Sequence, residues 1–347
     1  MKKKIGYAID ILLILVISAA TLWLLFKDNG IETFISDVKS AEIGWLIIGF
    51  ILVLVFVCSE SVIIKYMLKM FDVKIPLLRC IKYSFIGFFV SYITPSSSGG
   101  QPAQIYYMRK DGVSVGHSTL IMVVIAFTYK LVLVLLGAFF LIFRFNHLID
   151  HVGSLIWLVI LGFVLNLAFI ALLGLLVIKP YWTEKFLLSI VHLLACIKIF
   201  RHEEKWREKV INICKNYKES AEYIKGNPGK VGIIMLITAV QRISLFAVTY
   251  IVYKSFGLSG TGFVDIIALQ TLIAVAVEML PLPGAAGITE GCFLGMFNEI
   301  FGRQTVKSAL IMSRSLSFYI VLILGGIVTG VTQIINVKKD INREKLK

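Results

Sequence analysis

Six stretches of this sequence are apolar for long enough to cross a lipid bilayer: residues 8–26, 43–64, 118–143, 152–178, 230–253 and 308–335. A helix rises about 1.5 Å per residue, so roughly 20 apolar residues cover the ~30 Å of a hydrocarbon core. Only helices and closed barrels satisfy their backbone polar groups inside that core. With 58% of its residues hydrophobic and 16% charged, a soluble domain of 347 residues has nowhere to hide this much apolar surface. The chain therefore reads as an all-α polytopic integral membrane protein.

Two further apolar segments, 80–94 and 262–280, make about eight in total, and both stop at a cluster of helix breakers. The first runs into "YITPSSSGGQPAQ" and the second into "MLPLPGAAGITEG". The breaks match: "PSSSG" (Pro95 to Gly99) and "PGAAG" (Pro283 to Gly287) are both Pro-x-x-x-Gly, 188 residues apart. Unpaired backbone at membrane depth costs several kcal/mol per group unless protein or water satisfies it, so matched breaks mark a site. Each half then reads span, span, re-entrant hairpin, span. Three crossings per half is odd, so the second half is expected to be inverted relative to the first, with both hairpin tips near the midplane. The expected units are a first repeat over 1–143 and a second over 152–335, inside one transmembrane domain.

The net charge of +14 fits this topology without any nucleic-acid partner. With the N-terminus cytoplasmic and each hairpin returning to its side of entry, the cytoplasmic pieces 1–10, 65–82, 105–117, 179–230 and 336–347 hold 26 of the 35 Lys and Arg. Both termini are then inside a plasma membrane, and 8–26 is an uncleaved first span rather than a signal peptide. The 179–230 piece is a cytoplasmic insert. Trp206, Val210, Ile213, Tyr217, Ala221 and Ile224 recur in it at helical spacing. Its apolar face either lies on the inner leaflet or packs on the protein body. The five cysteines have no C-x-x-C spacing and read as small buried residues, and the five histidines have no metal-ligand spacing. Neither a cofactor nor a metal is expected, and no G-x-x-x-x-G-K-[ST] loop is present for ATP.

The candidate site is built from the two tips. The second half of each hairpin begins near Gly99–Gln101 and Gly287–Thr289, where a helix N-terminus offers N–H groups and partial positive charge to an anion. Pro95, Gly99, Gly100, Pro283, Gly284 and Gly287 shape the turns, and Ser96, Ser97, Ser98, Gln101 and Thr289 add polar side chains. Lys130, Arg242 and Arg314 lie inside apolar spans, where an ionisable residue is costly and hence a functional candidate. Structural pairing is the competing reading: Arg314 with Glu278 or Glu290, and Arg242 with Glu60 or snorkelling. Glu278 and Glu290 are counter-charges or carriers of a proton or ion. The whole suits the anionic headgroup of a membrane phospholipid, whose tails stay in hydrocarbon.

The stretches "SYITPSSSGGQPAQIYYMRKDG", "LPLPGAAGITEG" and "SRSLSFYIVLILGGI" resemble, in order and spacing, segments of the lysylphosphatidylglycerol synthase transmembrane family, also called the flippase-like domain family. The resemblance covers nearly the whole chain. It implies a flippase-like protein handling an anionic or aminoacylated, lysylphosphatidylglycerol-like lipid. In the multiple peptide resistance factors, members of that family, such transport contributes to cationic peptide resistance. Those proteins carry the lysyltransferase on a soluble domain after the membrane region. This chain stops at Lys347, so lysyltransferase activity is not expected of it alone. The alternatives are a membrane subunit docking a separate lipid synthase, or a lipid-modifying enzyme. The chain departs from the family pattern at Gln101 (Glu in the pattern), at Tyr129–Lys130 (Glu-Arg) and at Ala285–Ala286 (a second Gly). Lys lacks the forked geometry of Arg, so these departures bear on the substrate.

Overall fold

The computed structural model describes residues 41–94, 97–178, 221–280 and 287–345, together with Lys39, Leu282, Ala285 and scattered positions between 181 and 219. Among these residues the chain is helical and has no strand. Helix α1 is Ile43–Met70, α2 Leu77–Tyr92, α3 Gly100–Lys110, α4 Val115–Val152, α5 Ile156–Ile178 and α6 Pro228–Ser255. Then come α7 Phe263–Val277, α8 Ile288–Phe301, α9 Val306–Arg314 and α10 Ile320–Lys345. A π-turn, Ser315–Tyr319, joins the last two. Five stretches are long and apolar enough to cross a membrane: Ile43–Met70, Val115–Asn146, Leu148–Leu175, Pro228–Ser255 and Val306–Ile335. The protein is thus a multi-pass helical membrane protein. The expected first span, 8–26, lies outside the described residues.

Local chemistry sets the helix starts. Pro76 precedes α2 and Pro228 opens α6, positions where a missing N–H costs nothing. Ser114 caps α4, its Oγ accepting from the His117 N–H at 3.1 Å. One expected boundary moves. The loop placed between spans 118–143 and 152–178 is helical through Val152, interrupted only at Arg144 (φ −130°), and a short 3-10 turn at Gly153–Leu155 makes the bend.

Helices α1 and α6 pack along each other, α2 packs on α10, and α7 packs on α4 and α5. Helix α7 is too short to span, and from Ile266 to Val277 nearly every side chain is buried. Its approach to α5 is close: a Cβ on Gly162 would sit 2.2 Å from the Val275 carbonyl oxygen. Asn166 of α5 donates Nδ2–H to that same carbonyl at 3.2 Å. The end of the broken helix is therefore enclosed in protein, as the absence of water in hydrocarbon demands. On the outer side of α5, Trp157, Leu161, Val164 and Leu167 are exposed, which suits lipid contact.

The core forms two clusters. The larger surrounds α7 and joins Val53, Leu133, Val248, Leu272 and Phe293. The smaller joins Ile64, Tyr83 and Ile121 to Tyr217, Ala221 and Ile224 of the amphipathic piece. In its described part, then, that piece lays its apolar face on the protein body. Trp206, Val210 and Ile213 lie outside the described residues. Of the cysteines, Cys80, Cys214 and Cys292 are buried, Cys58 is half-buried, and all four are free thiols; Cys196 lies outside the described residues.

Candidate functional site

Between the two hairpins lies a cavity of about 550 Å³. It is lined from the first hairpin by Ser97, Ser98 and Gln101, and from the second by Glu278, Ala285 and Thr289. Lys130 of α4 and Arg314 of α9 face the same cavity. Aromatic rings close its sides: Phe56 against Phe88, and Tyr92 stacked on Phe318, each pair with centroids 4.7 Å apart. A polar floor inside apolar walls suits a ligand with a charged head.

Both turns carry the same backbone feature. Ser97 (φ 54°) and Ala285 (φ 50°) are non-glycine residues in the left-handed region, each the third residue of its Pro-x-x-x-Gly. That conformation costs about 1–2 kcal/mol for an L-residue, and such strain clusters at functional turns. The glycines that follow pack the turns. A Cβ on Gly100 would lie 2.0 Å from Ser91 Oγ and 2.6 Å from the Gly87 carbonyl oxygen. Gly100 thus lets α3 fold back on α2. Gly99 donates its N–H to Thr94 Oγ1 at 3.0 Å, which closes the same turn. Gly287 (φ 86°) donates its N–H to Glu290 Oε2 at 2.5 Å, so the start of α8 is already met by a carboxylate of its own first turn. Pro95, Ser96, Pro283 and Gly284 lie outside the described residues.

The buried cations are paired with carboxylates, the alternative that the sequence left open beside a substrate role. Arg242 has no exposed surface; its two terminal nitrogens meet Glu278 Oε1 at 2.5 Å and Oε2 at 2.9 Å. Its guanidinium lies 3.4 Å from the centre of the Tyr129 ring. Lys130 Nζ reaches Glu278 Oε2 at 2.9 Å. Arg242 therefore pairs with Glu278 and not with Glu60. Arg314 lies 2.6 Å from Glu290 Oε1 and 4.7 Å from the centre of the Phe318 ring. The triad keeps one excess positive charge and the Arg314–Glu290 pair keeps none. Such pairing offsets the several kcal/mol that burying each ion costs.

Three features of the site escaped the sequence reading. Glu60 of α1 faces the cavity and accepts Gln104 Nε2–H at 2.5 Å. Its signal was a carboxylate in the middle of an apolar span, considered only as a partner for Arg242. Asn166, an amide inside the most apolar span, covers the α7 carbonyl as described above. The π-turn directly after Arg314 has no local sequence signature; such bulges recur at functional sites.

Comparison with known proteins agrees with the architecture. Residues 11–325 match the model of the lysylphosphatidylglycerol synthase TM region, and the chain belongs to that family. It is similar to a UPF0104 membrane protein of Pyrococcus horikoshii, 25% identical over 325 residues, covering 91% of this chain and 95% of the relative. A UPF0104 membrane protein of Archaeoglobus fulgidus is 21% identical over 319 residues, covering 90% of this chain and 94% of the relative.

Proposed function

We propose that this member of the lysylphosphatidylglycerol synthase TM-region family is a lipid translocase. It moves an anionic or aminoacylated phospholipid headgroup through the cavity between its two hairpins while the acyl tails remain in hydrocarbon. The observation that carries the reading is that cavity itself. About 550 Å³ at the meeting of two broken hairpins is lined by Lys130, Arg314 and hydroxyl side chains and walled by aromatic rings. The excess positive charge of the Lys130–Arg242–Glu278 triad is available to a phosphate, and Ser97 and Ser98 bring hydroxyls to the cavity wall, while the Thr289 hydroxyl donates to the Ala285 carbonyl oxygen at 2.8 Å.

The inverted repeat belongs to the same proposal. Three features support it: the matched left-handed residues Ser97 and Ala285, the pairing of α1 with α6, and the pairing of α2 with α10 as α7 with α4. In this reading the termini are cytoplasmic, the bilayer is the plasma membrane, and the transport contributes to cationic peptide resistance.

The test is lipid movement in proteoliposomes, using fluorescent phosphatidylglycerol and lysylphosphatidylglycerol read by quencher accessibility. Wild-type protein is expected to move at least one of them. Lys130→Ala is expected to slow that movement at least tenfold, about 1.4 kcal/mol of lost headgroup stabilisation. Folded protein that moves neither lipid would overturn the reading.

A further inference from the structure

We propose that Glu60 is a proton-binding site of the cavity, and that its protonation is linked to occupation of the cavity by an anionic headgroup. The second half of this statement rests on the translocase reading; the first does not. Glu60 sits mid-way along α1, is 8% exposed, and faces the cavity. Among the described residues no Lys or Arg lies within ion-pair distance of it, because the nearby cations are taken by other carboxylates: Lys130 and Arg242 by Glu278, Arg314 by Glu290. The bonds to Glu60 come from neutral groups, the Gln104 amide N–H at 2.5 Å and the Ser84 hydroxyl. Neutral donors do not bring the charge that balances a buried carboxylate, which a cation or a proton supplies. The proton is the ligand for which the site needs no further protein group.

The neighbours define what the proton changes. The ionisable groups that line the cavity with Glu60 are Tyr92 from α2, Tyr129 and Lys130 from α4, Glu278 at the end of α7, and Arg314 from α9, with Arg242 of α6 behind the wall on Glu278. With Glu60 ionised, the six acids and bases around the cavity (Glu60, Glu278, Glu290, Lys130, Arg242 and Arg314) balance to zero. An anionic headgroup then adds an uncompensated charge. With a proton on Glu60 the wall carries one excess positive charge, and the headgroup restores neutrality. Proton and anion therefore favour each other's binding, and by linkage the effect is reciprocal.

The proton also acts on the fold. The Gln104 side chain rests on Gly87, where a Cβ would meet its Nε2 at 2.3 Å, so Gln104 belongs to the packed α2–α3 hairpin. Its bond to Glu60 ties that hairpin to the long span α1. Protonation turns a charge-assisted hydrogen bond into a neutral one, roughly half as strong, and loosens the tie. The step balances as RCOO⁻ + H₃O⁺ → RCOOH + H₂O: a carboxylate oxygen of Glu60 forms an O–H bond as one O–H bond of a hydronium ion in the cavity breaks, and water is left.

Two readouts test this. The first is infrared difference spectroscopy of purified wild-type protein as the buffer goes from mildly alkaline to mildly acidic. A protonated-carboxyl C=O band is expected to appear, to be missing in Glu60→Gln, and to be shifted but present in Glu60→Asp. Equal bands in wild type and Glu60→Gln would overturn the site. Should Glu60→Gln not fold, the shift in Glu60→Asp decides, and an unshifted band overturns it. The second is lipid movement in proteoliposomes under opposite pH gradients. The wild-type rate is expected to change with the gradient, up to about tenfold per pH unit for a single linked proton, and Glu60→Gln to flatten the change to within about twofold. Wild-type movement indifferent to the gradient would overturn the linkage. Absence of all lipid movement would count against the translocase reading, while the infrared band still decides the proton site.

Discussion

Arg242 has no exposed surface, and both oxygens of one carboxylate meet it. Removing that carboxylate leaves a buried, unpaired guanidinium, which typically costs about 3–5 kcal/mol. Glu278→Gln is therefore expected to lower the thermal unfolding temperature sharply in detergent. Glu278→Gln combined with Arg242→Gln is expected to recover much of the loss, because no charge is then stranded. A double variant no better than the single one would show that Glu278 acts mainly through Lys130. At the second turn, Ala285 holds a left-handed conformation that glycine adopts freely. Ala285→Gly is expected to raise stability by up to about 1 kcal/mol, measured by thermal unfolding, once the added freedom of the unfolded chain offsets part of the relieved strain. The sequence held the partners of these residues but not their pairing. Glu60, Glu278 and Glu290 all lie within reach on paper, and only the packing of α6 against α4 and α7 puts Glu278 on Arg242.

At the scale of elements, the hairpins depend on two kinds of contact. The open end of the first is clamped by Asp111, which follows α3 and accepts from Lys82 Nζ at 2.7 Å and Tyr83 Oη at 2.5 Å, both on α2. Partial burial pushes the Asp111 carboxyl up, but the bonds from Lys82 and Tyr83 outweigh it and hold the group below the ordinary carboxylate value. A carboxyl lowered in the folded state stabilises the fold above its unfolded value, near pH 4, and loses that contribution as pH falls through the lower folded value. Asp111→Asn is thus expected to be less stable at neutral pH and to show a flatter loss of stability in acid, read by unfolding temperature against pH. The second hairpin depends on a close approach. Gly162→Ala places a methyl 2.2 Å from a backbone oxygen that cannot move aside. It is expected to cost several kcal/mol and to abolish monodisperse protein on size exclusion, whereas Gly232→Ala, in open space, is expected to be harmless. The long spans and the two broken hairpins were legible from apolar runs and breakers, whereas the π-turn after Arg314 and the helical link between α4 and α5 were not. The depth of the α5–α7 contact was not, because a glycine in an apolar span looks the same whether it faces lipid or a carbonyl.

For the whole molecule, the proposed inverted repeat makes a prediction of sidedness. Ser98→Cys and Thr289→Cys sit on the two hairpins that face one cavity. If the halves are inverted, a membrane-impermeant thiol reagent is expected to reach both from whichever side the cavity opens to. Markers at the open ends of the hairpins, Lys110→Cys and Gly302→Cys, are expected to react from opposite sides. Reaction of both markers from one side would replace the inverted repeat with parallel halves. This test needs the four native thiols Cys58, Cys80, Cys214 and Cys292, together with Cys196, replaced first.

The sequence by itself determined the class of protein, its membership of a membrane family and the two places where the helices break. Those follow from properties that are local or periodic: apolar length against bilayer thickness, and proline and glycine where a helix cannot continue. The tertiary structure alone decided which charges are spent on one another. Lys130 and Glu278 are 148 residues apart and Arg242 and Glu278 are 36 apart, yet they form one triad, while Glu60 faces the same cavity without a cation. Electrostatic pairing acts through a few ångströms of space, and sequence distance carries no information about it until the helices have packed.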